Sequence, residues 1–260
     1  MDRDEVYLKV ARSGAVPADY LRWEATGLRW LAQAKDGAPV VEVLGVSETC
    51  LELRRLRASA PSPLAATTFG ERLARTHRAG ADGFGAAPPG WQGPGYLGPF
   101  SEPLPLALSA GPTWGQFWAE QRIEPLLAEG LRRGVYGPSD ARVFEQLAQR
   151  GADGHFDTDD LPARLHGDLW SGNIMWTLAG VTLIDAAAHG GHPETDLAML
   201  ALFGCPYLDQ ILVGYQGVQP LADGWSSRVG LHQIHPLMVH AVLFGGGYVG
   251  QSVAMAARYR

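Results

Sequence analysis

Cysteine is nearly missing from this 260-residue chain. Cys50 and Cys205 match no metal-ligand spacing, so they read as buried thiols acting as small hydrophobes and carry no redox signal. Long apolar runs are missing too: the stretch from Leu197 to Phe203 falls far short of the roughly 20 residues a spanning helix needs. Met1-Asp2-Arg3-Asp4 is not the opening of a secretory signal, and a cytoplasmic location is therefore expected. Positive charge is in deficit, with 21 Lys and Arg against 27 Asp and Glu and a net charge of −6. That leaves no global basic field, so neither nucleic acid nor an anionic membrane is expected as a partner. Internal repeats are not visible, and the 33 Gly and 18 Pro follow no period, which excludes a collagen-like or low-complexity chain. Lysine is scarce as well, only Lys9 and Lys35 standing among the basic residues. Arginine is a wide planar fork and lysine a slim point charge, so a lysine kept against such a bias is a candidate for chemistry in a tight slot.

What is present, 46% hydrophobic and 18% charged residues, fits a globular protein of one large or two modest domains. Residues 6–10 are β-branched and aromatic and read as a strand carrying Lys9, ended by a turn at Ser13-Gly14. Leu21, Ala25, Leu28 and Ala32 recur at helical spacing over about 18–35, with Glu24 on the edge of that face. Strands follow over 40–46 and 49–53, joined at Ser47-Glu48. Residues 54–63, with charges and two prolines, read as a hinge, which divides the chain into 1–56 and 57–260. The second region reads as mainly helical: helices over 68–77, 113–133 and 140–150, and around 194–216 and 227–258, the last interrupted by Pro236 and Gly245-Gly246-Gly247. Residues 80–112, dense in Gly and Pro, read as an ordered surface loop, and short strands are expected around 164–185.

The chemistry concentrates in LHGDLWSGNI (165–174) and VTLID (181–185). An H-x-D triplet, Asn five residues after the Asp, and an apolar strand delivering a second Asp have the spacing of a kinase catalytic loop. Phosphoryl transfer from ATP needs a carboxylate to orient and deprotonate the attacking hydroxyl, a role for Asp168. It also needs hard oxygen ligands for Mg²⁺, which Asn173 and Asp185 supply. His166 is expected to pin the loop. A strand lysine followed by a helical acid, here Lys9 and Glu24, is the pair such folds use to hold ATP phosphates. Trp170, beside Asp168, offers a flat face to a sugar and an N–H at its rim.

These segments, with THRAGADGFG (76–85), WGQFWAEQRIEPLL (114–127) and LIDAAAHGGHPETDLAMLALFG (183–204), resemble the fructosamine (ketosamine) kinases of the protein-kinase-like and aminoglycoside-phosphotransferase-like superfamily. The resemblance runs over nearly the whole chain. It implies an α+β, two-lobed kinase-like fold that phosphorylates a ketosamine sugar hydroxyl on a small or protein-bound glycated amine. Asp168 is then the base, Asn173 and Asp185 bind magnesium, Lys9 and Glu24 serve ATP, Trp170 borders the sugar, and Asp196 braces the catalytic loop. Two other readings stay open: a kinase of another small hydroxyl compound, aminoglycoside-like or choline-like, and an inactive kinase-like binding module.

Departures from the family pattern bear on these readings. Only eight residues precede Lys9, too few for two strands of about five residues and a turn, so the glycine-loop hairpin is expected to be absent and the Lys9 strand to have an open edge. A misassigned start, a truncation or a true loss of activity would each explain it. Ala186, His189 and Arg54 replace the family's usual Pro, aromatic and acidic residues. His232, His235 and His240 share no helix face well, and no nearby carboxylate is expected to complete a metal set. Asp153, Asp157, Asp159 and Asp160 read as a solvated acidic loop, and the glycine triplet as close helix packing.

Overall fold

The structure, a computed structural model, describes residues 5–11 and 16–260. The expected turn at Ser13-Gly14 lies outside the described residues. β1 (Val6–Val10), α1 (Tyr20–Ala32), β2 (Val43–Val46) and β3 (Cys50–Arg54) form a three-stranded antiparallel sheet, ordered β1-β3-β2, with one helix against it. Lys9 pairs in register with Leu51, while a bulge between Val43 and Gly45 shifts the β2 register. Of the helical spacing noted above, Leu21, Ala25 and Leu28 are buried and pack with Val41, Leu51 and Leu53, whereas Ala32 is exposed and Leu31 takes its place on that face. Among the described residues β1 has a partner on one side only, and Tyr7, Leu8 and Val10 are exposed along it. Residues 39–41 tie this layer to the rest: Val40 bridges Leu183, and Gly27 of α1 lies so close to Ala188 that a Cβ there would be 3.1 Å from it.

Residues beyond 62 are mainly helical, as expected. α2 (Pro63–Arg78) starts well before the periodic stretch, because Ser62 accepts the Ala65 N–H at its N-terminus and Pro63 occupies a position whose N–H has no helical partner. Residues 80–112 are not a surface loop. They contain the hairpin β4 (Gly95–Leu97) and β5 (Leu104–Leu106) and bury Phe84, Ala86, Leu97, Leu104 and Leu106. Glycine marks close approach here: a Cβ on Gly95 would lie 2.5 Å from the Trp23 indole.

α3 (Trp114–Trp118) runs through a π turn at Ala119–Ile123 into α4 (Glu124–Arg132) as one continuous helix. The π turn buries Arg122, whose guanidinium lies 4.5 Å from the Phe117 ring centre and donates to the carbonyls of Ala107 and Gln121. α5 (Pro138–Ala152) packs behind it. The antiparallel pair of β6 (Ala163–Leu165) with β9 (His189–Gly191) and the hairpin of β7 (Ile174–Thr177) with β8 (Gly180–Leu183) frame the segment 165–174. α6 (Pro193–Leu202), α7 (Leu208–Val218), α8 (Trp225–Phe244) and α9 (Gly247–Ala256) complete the chain. Pro236 does not interrupt α8. The surrounding core, with Ile234, Met238 and Val242 buried, holds the helix through the missing hydrogen bond, and the break comes at Gly245, at φ 63°. No helix among the described residues is long and apolar enough to cross a membrane.

α2 and α7 meet at two glycines. A Cβ on Gly70 would lie 1.9 Å from the Ile211 carbonyl oxygen, and one on Gly214 2.0 Å from that of Thr67. Backbone cannot yield as a flexible side chain does, so Gly70→Ala should destabilise the protein by about 2 kcal/mol or more, read as a lower urea midpoint at unchanged slope.

Candidate active site

The segment 165–174 is held from behind by one buried carboxylate. Asp196, near the start of α6, accepts the His166 N–H on Oδ2 (2.7 Å) and the Gly167 N–H on Oδ1 (3.0 Å). The same Oδ2 lies 3.2 Å from His77 Nε2 on α2, and His77 Nδ1 lies 2.9 Å from the Tyr215 hydroxyl on α7. Burial by itself would raise the Asp196 pKa, but His77 and the His166 N–H outweigh it and hold the carboxyl below its usual range. Gly167 is at φ 80°, and a Cβ there would lie 2.2 Å from the Ala187 carbonyl oxygen, so the loop passes that strand only as glycine.

His166 has a definite tautomer. Its Nε2 is 2.8 Å from the Ile184 carbonyl, which can only accept, so Nε2 carries the proton and Nδ1 accepts the Asp168 N–H at 3.3 Å. Burial lowers the ring pKa and keeps it neutral. The histidine thereby ties the turn before Asp168 to the strand before Asp185.

Asn173 orients Asp168. Its Nδ2 donates to the Asp168 carboxylate (2.9 Å) and to the Asp168 carbonyl (2.8 Å), and among the described residues Oδ1 has no hydrogen-bond partner. Burial pushes the Asp168 carboxyl up to about 7, against the pull of Asn173 and with the repulsion of Asp185 and Asp196 behind it. Asp185 itself sits at φ 53°, a left-handed conformation costly for a residue with a side chain and one that clusters at functional sites. Lys9 Nζ spans the cleft, 2.6 Å from Glu24 Oε2 and 3.2 Å from Asp185 Oδ1. Burial disfavours its charge, but the two carboxylates more than compensate and raise its pKa. Among the described residues the buried Glu24 Oε1 has no hydrogen-bond partner, and burial pushes that carboxyl up.

Lys9, Glu24, Asp168, Trp170, Asn173 and Asp185 line one cavity of about 380 Å³, and Asp196 reaches it too. His166 stands behind. Trp170 is 39% exposed, its indole turned back over Gly172, where a Cβ would lie 2.3 Å from the ring. Sequence reasoning missed part of the lining: Tyr20, Tyr96 and Phe100 on one side, His235, His240 and Phe244 on the other. It also missed His77 and Tyr215, although His77 stands inside the segment 76–85 already singled out.

Two expectations need correction. A carboxylate does face His232: Glu194 Oε2 is 3.4 Å from its Nε2, and His192, Glu194 and His232 bring their donor atoms within 4.8 Å of one another. Arg228 forks onto Glu194, and the His192 ring nitrogens face Thr158 and the Glu194 N–H, but among the described residues the buried His232 Nε2 makes no hydrogen bond, so the polar network is satisfied only in part. The acidic loop is not merely solvated. Asp157 accepts the Gly115 N–H at 2.7 Å and Asp160 lies 3.3 Å from His192 Nε2, fastening the loop to α3 and to the start of α6.

The family model described as fructosamine kinase matches residues 1–259. The chain belongs to the fructosamine kinase family. Within it, a probable ketoamine kinase of Synechocystis is 35% identical over 188 residues, which is 72% of this chain and 59% of that protein. The chain thus spans about three fifths of that relative's length. The crystal structure of a candidate fructosamine-3-kinase from Thermobifida fusca YX-ER1 is 43% identical, with a TM-score of 0.87 covering 96% of this chain and 84% of that one. An ADP-bound aminoglycoside phosphotransferase, 13% identical at a TM-score of 0.64 over 99% of this chain and 88% of its own, shares the fold.

The raised Asp168 pKa has a consequence for stability. A carboxyl near 3.8 in the unfolded chain and about 7 when folded binds its proton more tightly in the folded state. Its contribution is therefore favourable at low pH and lost as pH rises through that window. Asp168→Asn should be more stable than the parent at pH 8, by on the order of 1–3 kcal/mol, with the gain shrinking toward pH 4. Thermal melts of both proteins across that range check it.

Proposed function

We propose that this protein transfers the γ-phosphoryl group of ATP to a sugar hydroxyl of a ketosamine. The observation that carries the reading is Asp168: a carboxylate held by Asn173 inside a cleft that also presents Lys9, Glu24 and Asp185. A carboxyl of raised pKa is a better base than an ordinary aspartate, and Asn173 fixes the direction in which it can accept a proton. The acceptor hydroxyl gives its proton to Asp168 as its oxygen bonds to phosphorus, while the bond to the leaving ADP oxygen breaks and ADP departs with that electron pair.

Lys9 is the cation for the phosphates, steered by Glu24. A hard divalent ion suits the oxygen donors present: Asn173 Oδ1, without a hydrogen-bond partner among the described residues, and the Asp185 carboxylate, 45% exposed toward the cleft. Magnesium, when bound there, offsets the charge of the phosphate oxygens. Asp185 and Asn173 would hold the ion, and the Lys9 ammonium, 3.2 Å from Asp185 Oδ1, would serve the phosphates. Trp170 offers the flat apolar face that stacks on the C–H side of a sugar, and Asp168, Asp185 and Asp196 together favour a cationic acceptor, as a protonated ketosamine is. Family membership supports the same substrate class. The acceptor includes glycated lysine side chains, whose tether can reach an open cleft.

With Mg·ATP and fructosyl-lysine, ADP release and phosphorylated sugar should appear together. Asp168→Ala should lower kcat by ~10²–10⁴-fold while nucleotide affinity changes little. An unchanged kcat would show that Asp168 is not the base.

A further inference from the structure

α8 delivers His240 and Phe244 to the cleft, where they join rings from neighbouring segments in a group that phosphoryl transfer does not need. Phe203 and His240 lie 4.7 Å apart with their rings tilted by 40°, His240 lies 5.5 Å from Phe244 and 5.1 Å from Tyr248, and Trp170 meets Phe203 edge-on at 6.4 Å. Phe244 is 59% exposed, an unusual state for a phenyl ring beside a charged site, and both it and His240 line the same cavity as Asp168. An aromatic wall of this kind suits a ligand that is either apolar or cationic.

His240 decides between the two. Its Nδ1 is 2.8 Å from the Pro236 carbonyl, which has no proton to give, so Nδ1 is the protonated nitrogen. Nε2 is then a bare acceptor, and among the described residues the ring's one hydrogen bond is the one from Nδ1. Burial lowers the ring's pKa, which keeps that lone pair available at neutral pH. The complement of an acceptor set among ring faces is a cationic N–H donor. An anion would face both the π clouds and the carboxylates of Asp168, Asp185 and Asp196, and a neutral hydroxyl would gain no cation–π attraction.

We propose that His240 Nε2 accepts an N–H of the acceptor's protonated secondary amine, with Trp170 and Phe244 flanking that nitrogen. His240 is then the residue that distinguishes an amine-linked sugar from an oxygen-linked one. The inference rests on the ketosamine reading of the cleft and narrows it to the atom recognised.

The test compares two ligands that differ at one atom, 1-deoxy-1-(propylamino)fructose and 1-O-propylfructose, by calorimetric titration into the full chain with a non-hydrolysable Mg·ATP analogue. The parent protein should bind the amine at least about tenfold more tightly. His240→Phe keeps an aromatic ring in the group but removes the acceptor, and should bring that ratio close to one. His240→Gln, with a side-chain carbonyl, should restore part of it; thermal melts confirm that each variant is folded. An amine preference that survives in His240→Phe, or none in the parent protein, would overturn the proposal. Turnover of both compounds is followed in parallel. A His240-dependent preference without turnover would sink the kinase reading and leave the amine site standing, whereas turnover without preference would do the reverse.

Discussion

The buried carboxylate of Asp196 is the constraint on which the rest of the structure depends. A charge removed from water costs several kcal/mol unless its lone pairs are filled, and here they are filled by two consecutive N–H groups of the catalytic loop and by His77. The loop, α2 and α6 therefore cannot separate without exposing the cost. Tyr215 extends the set to α7, and the Gly70 and Gly214 contact lets α7 come near enough for its hydroxyl to reach His77. Fold and site share this one polar centre.

In front of it stands an imbalance of the opposite kind. Glu24, Asp168 and Asp185 gather around Lys9, and Asp196 lies close behind. The protein tolerates the surplus of negative charge by raising the pKa of Asp168 and by sharing the Lys9 ammonium between two carboxylates. Such a cleft is poised for cations. The proposed reaction brings two, a divalent ion with the nucleotide and a protonated amine with the acceptor, and each answers a different part of the excess.

The sequence was most readable where function depends on short spacing. His166, Asp168, Asn173 and Asp185 lie within twenty residues, and the turn and hairpin that join them leave few ways to arrange their side chains. Lys9 and Glu24 could be paired from chain order because strand and helix are consecutive and α1 packs on the sheet. Long-range partners were hidden. Nothing in the local pattern of His232 announces Glu194, and His240 acquires its meaning only from a Pro236 carbonyl and from rings up to 37 residues away in sequence, as Phe203 shows. Glycine and proline misled in both directions. In 80–112 they permit burial, and in α8 the proline is carried by packing that only the assembled core supplies.

The π turn at Ala119–Ile123 imposes a rule of length on its helix. Such a turn holds one residue more than the α-helix around it and so absorbs that residue without turning the two halves against each other, whereas a residue inserted or excised elsewhere in the rod would rotate one half against the other by about 100°. Trp114, Phe117 and Trp118 lie on one side of it, Leu126 and Leu127 on the other, and all five belong to the same core. Substitutions along this rod can be absorbed one at a time, but a change of register cannot, and the frame of the helix is as fixed as the identity of any side chain it carries.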